Sequence, residues 1–364
     1  HTLRNTAVEI VPLVKRLSEA SGVSGYENQV REVVREAFAP FADKVEVDAL
    51  GNLIAFKQGI GPAPRPTIMI ATHMDEIGLI VSELERGFIR FQQVGGYDDR
   101  VLLGQEVVVH GRKDLPGVIG ARPPHVLSAA DRKKPIPYDS LLIDVGLAPE
   151  QLGDLVRIGD LITMDRDLVE LQGGLVTGKA LDNRISAVAA AICLKELGRI
   201  HHEWDVYVVA TTQEELGLKG AVTSTFALNP DVGIAIDVTW AKQPGTPDER
   251  TFEMDQGPAI GWGPNFHPGL HRALVETAQA LEMSYHVEPL PRPGGTDAAA
   301  IQISRQGILT GQLCIPQRSM HTPVETVSVR DIERTGRLLA AFIGRLDDSS
   351  LSTLSWSLGT DEEE

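Results

Sequence analysis

Four apolar, strand-like runs in this 364-residue chain each lead into side chains that can bind a metal ion or a proton. They read TIMIATHMDEIG around His73 and Asp75, GKALDNR around Asp182, VVATTQEELGLKGA around Glu214 and Glu215, and GIAIDVT around Asp237. A fifth candidate, His321 in SMHTPVE, follows the apolar stretch GILTGQLCI. Carboxylates and imidazoles are costly where buried strands end unless something pairs with them, and a pair of divalent cations would serve them all. Open α/β sheets gather their ligands beyond the carboxyl ends of the strands. The pattern therefore asks for such a sheet, with His73, Glu214, Glu215 and Asp237 along one edge.

The remaining periodicity agrees. From Gly178 onward helices and strands alternate: a helix over 182–197 with Ile185, Val188, Ala189 and Ile192 on one face, strands over 205–212 and 232–240, and helices over 271–281 and 330–346. That alternation predicts an α/β fold with a doubly wound, mostly parallel sheet. Upstream, Val30, Val33, Val34, Ala37 and Phe38 fall at helical spacing behind Glu27. Between Ile77 and Asp165 the texture changes to short β-rich runs broken by Gly and Pro, such as IGLIVSEL, GFIRFQQVG and QEVVVHG. These read as a small barrel or sandwich, with a brief helix at 149–153. We expect a catalytic α/β domain of residues 1–75 and 176–348, a β-barrel-like insertion over 76–175, and a disordered Ser-rich, acidic tail over 349–364.

A formal net charge of −16 disfavours nucleic acid or an anionic membrane as partner. No window approaches the apolar length of a membrane helix. Cys193 and Cys314 lie in apolar surroundings, which suits buried thiols in a reducing compartment and makes the cytoplasm the expected location. The first residue is His1 rather than Met, so a trimmed or replaced start is expected. Absence of a phosphate-binding glycine loop and of a GxSxG elbow argues against nucleotide hydrolysis and serine chemistry.

Singly, the polar residues have ordinary explanations. Asp182 opens a helix, where Asp is a favoured N-cap. Glu214 and Glu215 precede a helix-like stretch whose dipole favours acids. His321 could be a loop histidine, and Gly294–Gly295–Thr296–Asp297 either lines a pocket or makes a turn and a cap. Together, His73, Asp182, Glu215, Asp237 and His321 supply two imidazoles and three carboxylates, enough for two bridged sites suited to Zn²⁺, Co²⁺ or Mn²⁺. One member of the Glu214–Glu215 pair stays free to move protons, and spacing alone does not say which. Asp75 is placed to orient His73.

The motifs THMDEIG, GKALDNR, TTQEELGLKGA, IDVT, GGTDA and MHTP occur in this order and resemble the M42 family of co-catalytic metallo-aminopeptidases, from SGVSGYE at Ser21 through MHTP. The resemblance implies a two-metal aminopeptidase acting on short peptides through a bridging hydroxide. It gives His73 and Asp237 to one metal, Glu215 and His321 to the other, and makes Asp182 the bridge. Glu214 would be the general base and acid, with Asp75 steering His73. It also implies dimerisation through the insertion and assembly of a homo-oligomer, commonly a dodecamer. Two competing readings are a β-glucanase, which works with paired carboxylates and no metal, and an oligomeric scaffold with structural metals.

Overall fold

The computed structural model describes residues 8–354, apart from 131, 133 and 135. Its larger body is built on an eleven-stranded sheet. Four central strands, in the order Asp205–Thr211, Thr67–His73, Val232–Trp240 and Leu309–Arg318, run parallel. Their near-continuous apolar character follows from being covered on both faces. The flanks are antiparallel. Leu53–Lys57 and Lys44–Val47 extend one side, and Glu325–Ser328, Leu175–Gly178 and Val169–Leu171 the other. Ala259–Trp262 and His286–Pro289 branch from the Leu309–Arg318 strand.

Because strand side chains alternate, Ile68 and Ile70 point to one face of the sheet and Met69 and Ala71 to the other. The first face is covered by helices Ile10–Glu19, Asn28–Phe38, Leu181–Leu197, Pro268–Ala280 and Val329–Ile343. The second is covered by Lys219–Leu228 and Asp297–Gln302. This is the doubly wound body expected. Leu181–Leu197 is buried nearly all round, and its alanines at 187 and 189–191 let it fit between the sheet and Val329–Ile343.

The insertion is a closed six-stranded antiparallel barrel, in the order Gly78–Glu85, Phe88–Val94, Leu142–Asp144, Asp114–Gly120, Glu106–His110 and Leu161–Met164. Alternate residues, among them Leu79, Val81, Ile89, Phe91, Val107 and Val109, fill its interior. The brief helix runs over Pro149–Leu155.

Two boundaries differ from expectation. The barrel ends at Met164, and Val169–Leu171 pairs with Leu175–Gly178 in the large sheet, so the second domain boundary falls near Asp165 rather than 175. Strand-like composition does not reveal which sheet a strand joins. Ser350–Thr353 forms a helical turn with Leu351 and Leu354 against the main core, which corrects the disorder expected from Ser349 over 349–354. The acidic remainder, 355–364, lies outside the described residues. Cys193 and Cys314 are buried and unpaired. Among the described residues, no helix is long and apolar enough to cross a membrane.

Candidate metal centre

The parallel ladder between the His73 and Asp237 strands ends at Ala71 and Ala235, two residues short of both side chains. The strands part there, opening a crevice at the carboxyl edge of the sheet. His73, Asp182, Glu214, Glu215, Asp237 and His321 all line the resulting 280 Å³ cavity.

Asp182 lies between the two histidines. Its Oδ1 is 3.2 Å from His73 Nε2, and its Oδ2 is 3.4 Å from His321 Nε2. Glu215 Oε1 stands 3.5 Å from His321 Nε2, whereas Glu214 Oε2 is 3.9 Å from His73 Nε2. Donor atoms of His73, Asp182 and Glu215 lie within 4.8 Å of one another, as do those of His73, Glu214 and Asp237. Asp182 does not cap its helix: residue 180 is the N-cap, in the left-handed region, and Asp182 itself has non-helical angles. Its carboxylate is turned into the crevice instead.

Asp75 is fully buried, with Oδ1 3.4 Å from His73 Nδ1. It also accepts from Ser24 Oγ and from the backbone N–H groups of Glu214 and Glu215. One carboxylate thus ties the His73 strand to the turn carrying both glutamates. Glu325, also buried, accepts from the N–H of Asp182 and of His321, each at 2.9 Å. His321 Nδ1 lies 3.0 Å from the Gly96 carbonyl oxygen, which can only accept, so Nδ1 carries the proton and Nε2 faces the crevice. Glu76 forms a buried ion triad with Lys179 and Arg184, at 2.6 and 3.0 Å. Arg184 also donates to the Met74, Leu17, Ser18 and Ala20 carbonyls.

The electrostatics are those of a site short of positive charge. Among the described residues, the ion pairs to Asp75, Asp182, Glu214 and Glu215 come from His73 and His321. Burial pushes the Glu214 carboxyl up to about 10, only partly offset by His73 and reinforced by Asp237 and Asp297. Burial likewise holds Glu215 and Asp237 above the usual carboxylate range. Asp182 goes the other way, because hydrogen bonds from His321 and His73 outweigh its burial. Asp182 and Glu215 push His321 up to about 11. Buried carboxylates that cannot ionise together, beside imidazoles that take up protons to compensate, fit a pair of divalent cations. The mixture of nitrogen and oxygen donors suits transition-metal ions.

The crevice therefore brings together six of the seven residues selected from the sequence, and Asp75 is buried behind it against His73. Sequence reasoning missed Glu325 and Gly96, which hold His321, Ser24, which donates to Asp75, and the buried Glu76–Lys179–Arg184 triad. Glu325 left one signal, an acid at the start of the apolar run ETVSV. The Gly96 carbonyl left none. In GGTD, Gly294, Gly295 and Thr296 line the cavity. Asp297 is buried behind it, accepting from Thr211 Oγ1 at 2.6 Å.

An α/β sheet whose strand ends gather histidines and carboxylates defines the class of a metal-dependent hydrolase. The family model described as M42 glutamyl aminopeptidase matches residues 51–338. The chain belongs to this family: it is a metal-dependent aminopeptidase, a hydrolase acting on peptide bonds. It is 38% identical over 340 residues to the lysyl aminopeptidase of Pyrococcus furiosus, covering 92% of this chain and 96% of that protein. The TET aminopeptidase from a marine sediment Thaumarchaeota archaeon superimposes with a TM-score of 0.89 at 32% identity, over 95% of this chain and 100% of the other. The TET1 peptidase of Pyrococcus horikoshii, described as able to assemble into a tetrahedron or a large octahedral shell, gives 0.81 at 34%, over 93% and 100%. The resemblance read from the motifs is borne out.

Proposed function

We propose that the chain removes N-terminal residues from short peptides at a two-metal centre held by His73, Asp182, Glu215, Asp237 and His321. The observation that carries this reading is the placement of Asp182, whose two oxygens face different histidines. A carboxylate presented to two imidazoles in this way suits a bridging ligand. Its companions divide accordingly, with His73 and Asp237 on one side and Glu215 and His321 on the other. When bound, the ions would polarise the scissile carbonyl and activate a water at neutral pH; we favour Zn²⁺, with Co²⁺ or Mn²⁺ as substitutes.

The protein's own groups do the rest. Glu214 is the more distant carboxylate from its histidine, and it stands beside the donors without forming one of the closer pairs. We assign it to take a proton from the attacking water and return it to the departing nitrogen. Asp75 holds the His73 ring, and Gly96 and Glu325 hold His321. As a peptide-bond hydrolase, the chain leaves no place for the glucanase and scaffold readings.

A homo-oligomer built from barrel-mediated dimers, extending to a dodecamer, is part of the proposal. It is supported by the assemblies formed by the TET1 relative. A cytoplasmic location is supported by two buried, unpaired thiols. The deciding experiment is hydrolysis of aminoacyl-anilides by the chelated protein reloaded with Zn²⁺, Co²⁺ or Mn²⁺. Activity that vanishes on chelation and returns on reloading is expected. Undiminished activity in chelator would sink the two-metal reading.

A further inference from the structure

The turn that carries Glu214 and Glu215 lies beyond the strand Asp205–Thr211, and side chains from three other segments hold it. Thr212 N–H donates to Asn52 Oδ1 at 3.0 Å, and Gln213 N–H to Glu27 Oε1 at 3.1 Å. Glu214 and Glu215 N–H donate to the two oxygens of Asp75, at 3.0 and 3.2 Å. Asn52, Glu27 and Asp75 are all buried, Glu27 being 2% exposed. Asp75 also faces His73, and Asn52 also closes the neck of the loop, donating from Nδ2 to the Gly220 carbonyl at 3.2 Å. Glu27 has no such second task yet described: beyond Gln213, its Oε1 accepts from the N–H of Gly25 at 2.6 Å.

The residue that Glu27 grips is a strained one. Gln213 has φ +53, in the left-handed region that is costly for a residue with a β-carbon. Such a conformation persists only where the surroundings over-determine it. Directly after this reversal the next two side chains diverge, Glu214 toward His73 and Glu215 toward His321. Glu27 belongs to the SGVSGYE segment, whose Ser24 donates to Asp75. The segment thus meets the turn twice, directly at Gln213 and through Asp75 at Glu214 and Glu215.

We propose that Glu27 is a positioning residue for the proton carrier: by holding Gln213 left-handed it sets where the Glu214 carboxyl stands. This rests on the assignment of proton transfer to Glu214. Glu215 is secured separately, by Asp75 at its N–H and by His321 at its carboxylate. Loss of Glu27 therefore misplaces a reacting group without removing a metal ligand. A displacement of about 1 Å at a reacting group slows a reaction on the order of 10²-fold.

The test measures kcat, KM and bound metal for the metal-loaded full chain on the anilide it cleaves best. The variants are Glu27→Ala, Glu27→Gln and the double variant Glu27→Ala with Gln213→Gly. Glu27→Ala should lose kcat on the order of 10²-fold, with KM and metal content as in the wild type. Glu27→Gln keeps an acceptor for the Gln213 N–H and should restore most of that turnover. The double variant should also recover, because glycine takes the left-handed conformation without strain. A general weakening of the fold would not be relieved by adding a glycine. If Glu27→Ala does not fold, Glu27→Asp, whose carboxylate falls a methylene short of the N–H, decides in its place. Undiminished kcat, metal lost together with kcat, or no recovery in the double variant would each overturn the assignment. A wild type inert on anilides, or a fully active Glu214→Gln, would sink the underlying reading and this inference with it.

Discussion

The ring of His321 donates from Nδ1 to the carbonyl oxygen of Gly96 across 3.0 Å, and this bond joins the inserted barrel to the candidate metal centre of the sheet domain. Gly96 follows the barrel strand Phe88–Val94, 225 residues before His321. The insertion is therefore part of the site, since it fixes which nitrogen of His321 faces Asp182 and Glu215.

That bond can be disturbed without touching a donor. Gly95 has φ +74, and a methyl group there would meet Ile77 Cγ2 at 2.5 Å. Gly95→Ala should shift the neighbouring carbonyl and weaken metal binding roughly 10–100-fold, the usual cost of losing a ligand's orienting partner. Calorimetric titration of the chelated protein with Zn²⁺ measures this. Unchanged affinity would show that His321 is held by Glu325 alone.

Glu214→Gln removes the assigned proton carrier and keeps its shape. Turnover on the best anilide should fall about 10²–10⁴-fold while both ions remain bound, the metal content being read by atomic emission. Near-wild-type turnover would return the role to Glu215.

Metal removal should also destabilise the fold. Ions that bind only the folded chain stabilise it by about 4 kcal/mol when free ion exceeds its Kd a thousandfold. Chelation should therefore lower the melting temperature, by several degrees in a chain of this size. An identical melting curve with and without chelator would mean that the crevice holds no tightly bound ion.

The Glu76–Lys179–Arg184 triad predicts a pH dependence. Burial alone would raise the Glu76 carboxyl, but Arg184 and Lys179 outweigh it and hold it below its ordinary value. Its stabilisation is thus fully present above the ordinary glutamate value and lost as pH falls through the lower, folded one. Glu76→Gln should cost about 3–5 kcal/mol near neutrality, because it leaves two buried cations short of their partner. The gap to the wild type in urea melts should narrow on acidification. A gap that widens in acid would refute the assignment of charge.

Legibility followed burial. His73 and Asp237 stood out because each ends an apolar strand, where a polar group is conspicuous. Asp182 taken singly read as a helix opener and joined the ligand set only in company; its non-helical angles and the left-handed Ala180 upstream were not legible. The strand Val169–Leu171 was assigned to the wrong domain because pairing partners are set by tertiary position. Leu351 and Leu354 were lost among serines that suggested disorder.

The sequence by itself determined the alternating α/β body, the β insertion and the family, and it pointed to the seven residues proposed for the centre. These are properties of local period and of residue types that are costly when buried alone. Tertiary structure decided which oxygen of Asp182 meets which histidine, how the barrel reaches His321, and how Glu27 comes to meet Gln213. Each of these joins segments far apart in the chain, and the choice among their possible pairings is made only when the sheet register and the barrel's seat on it are fixed.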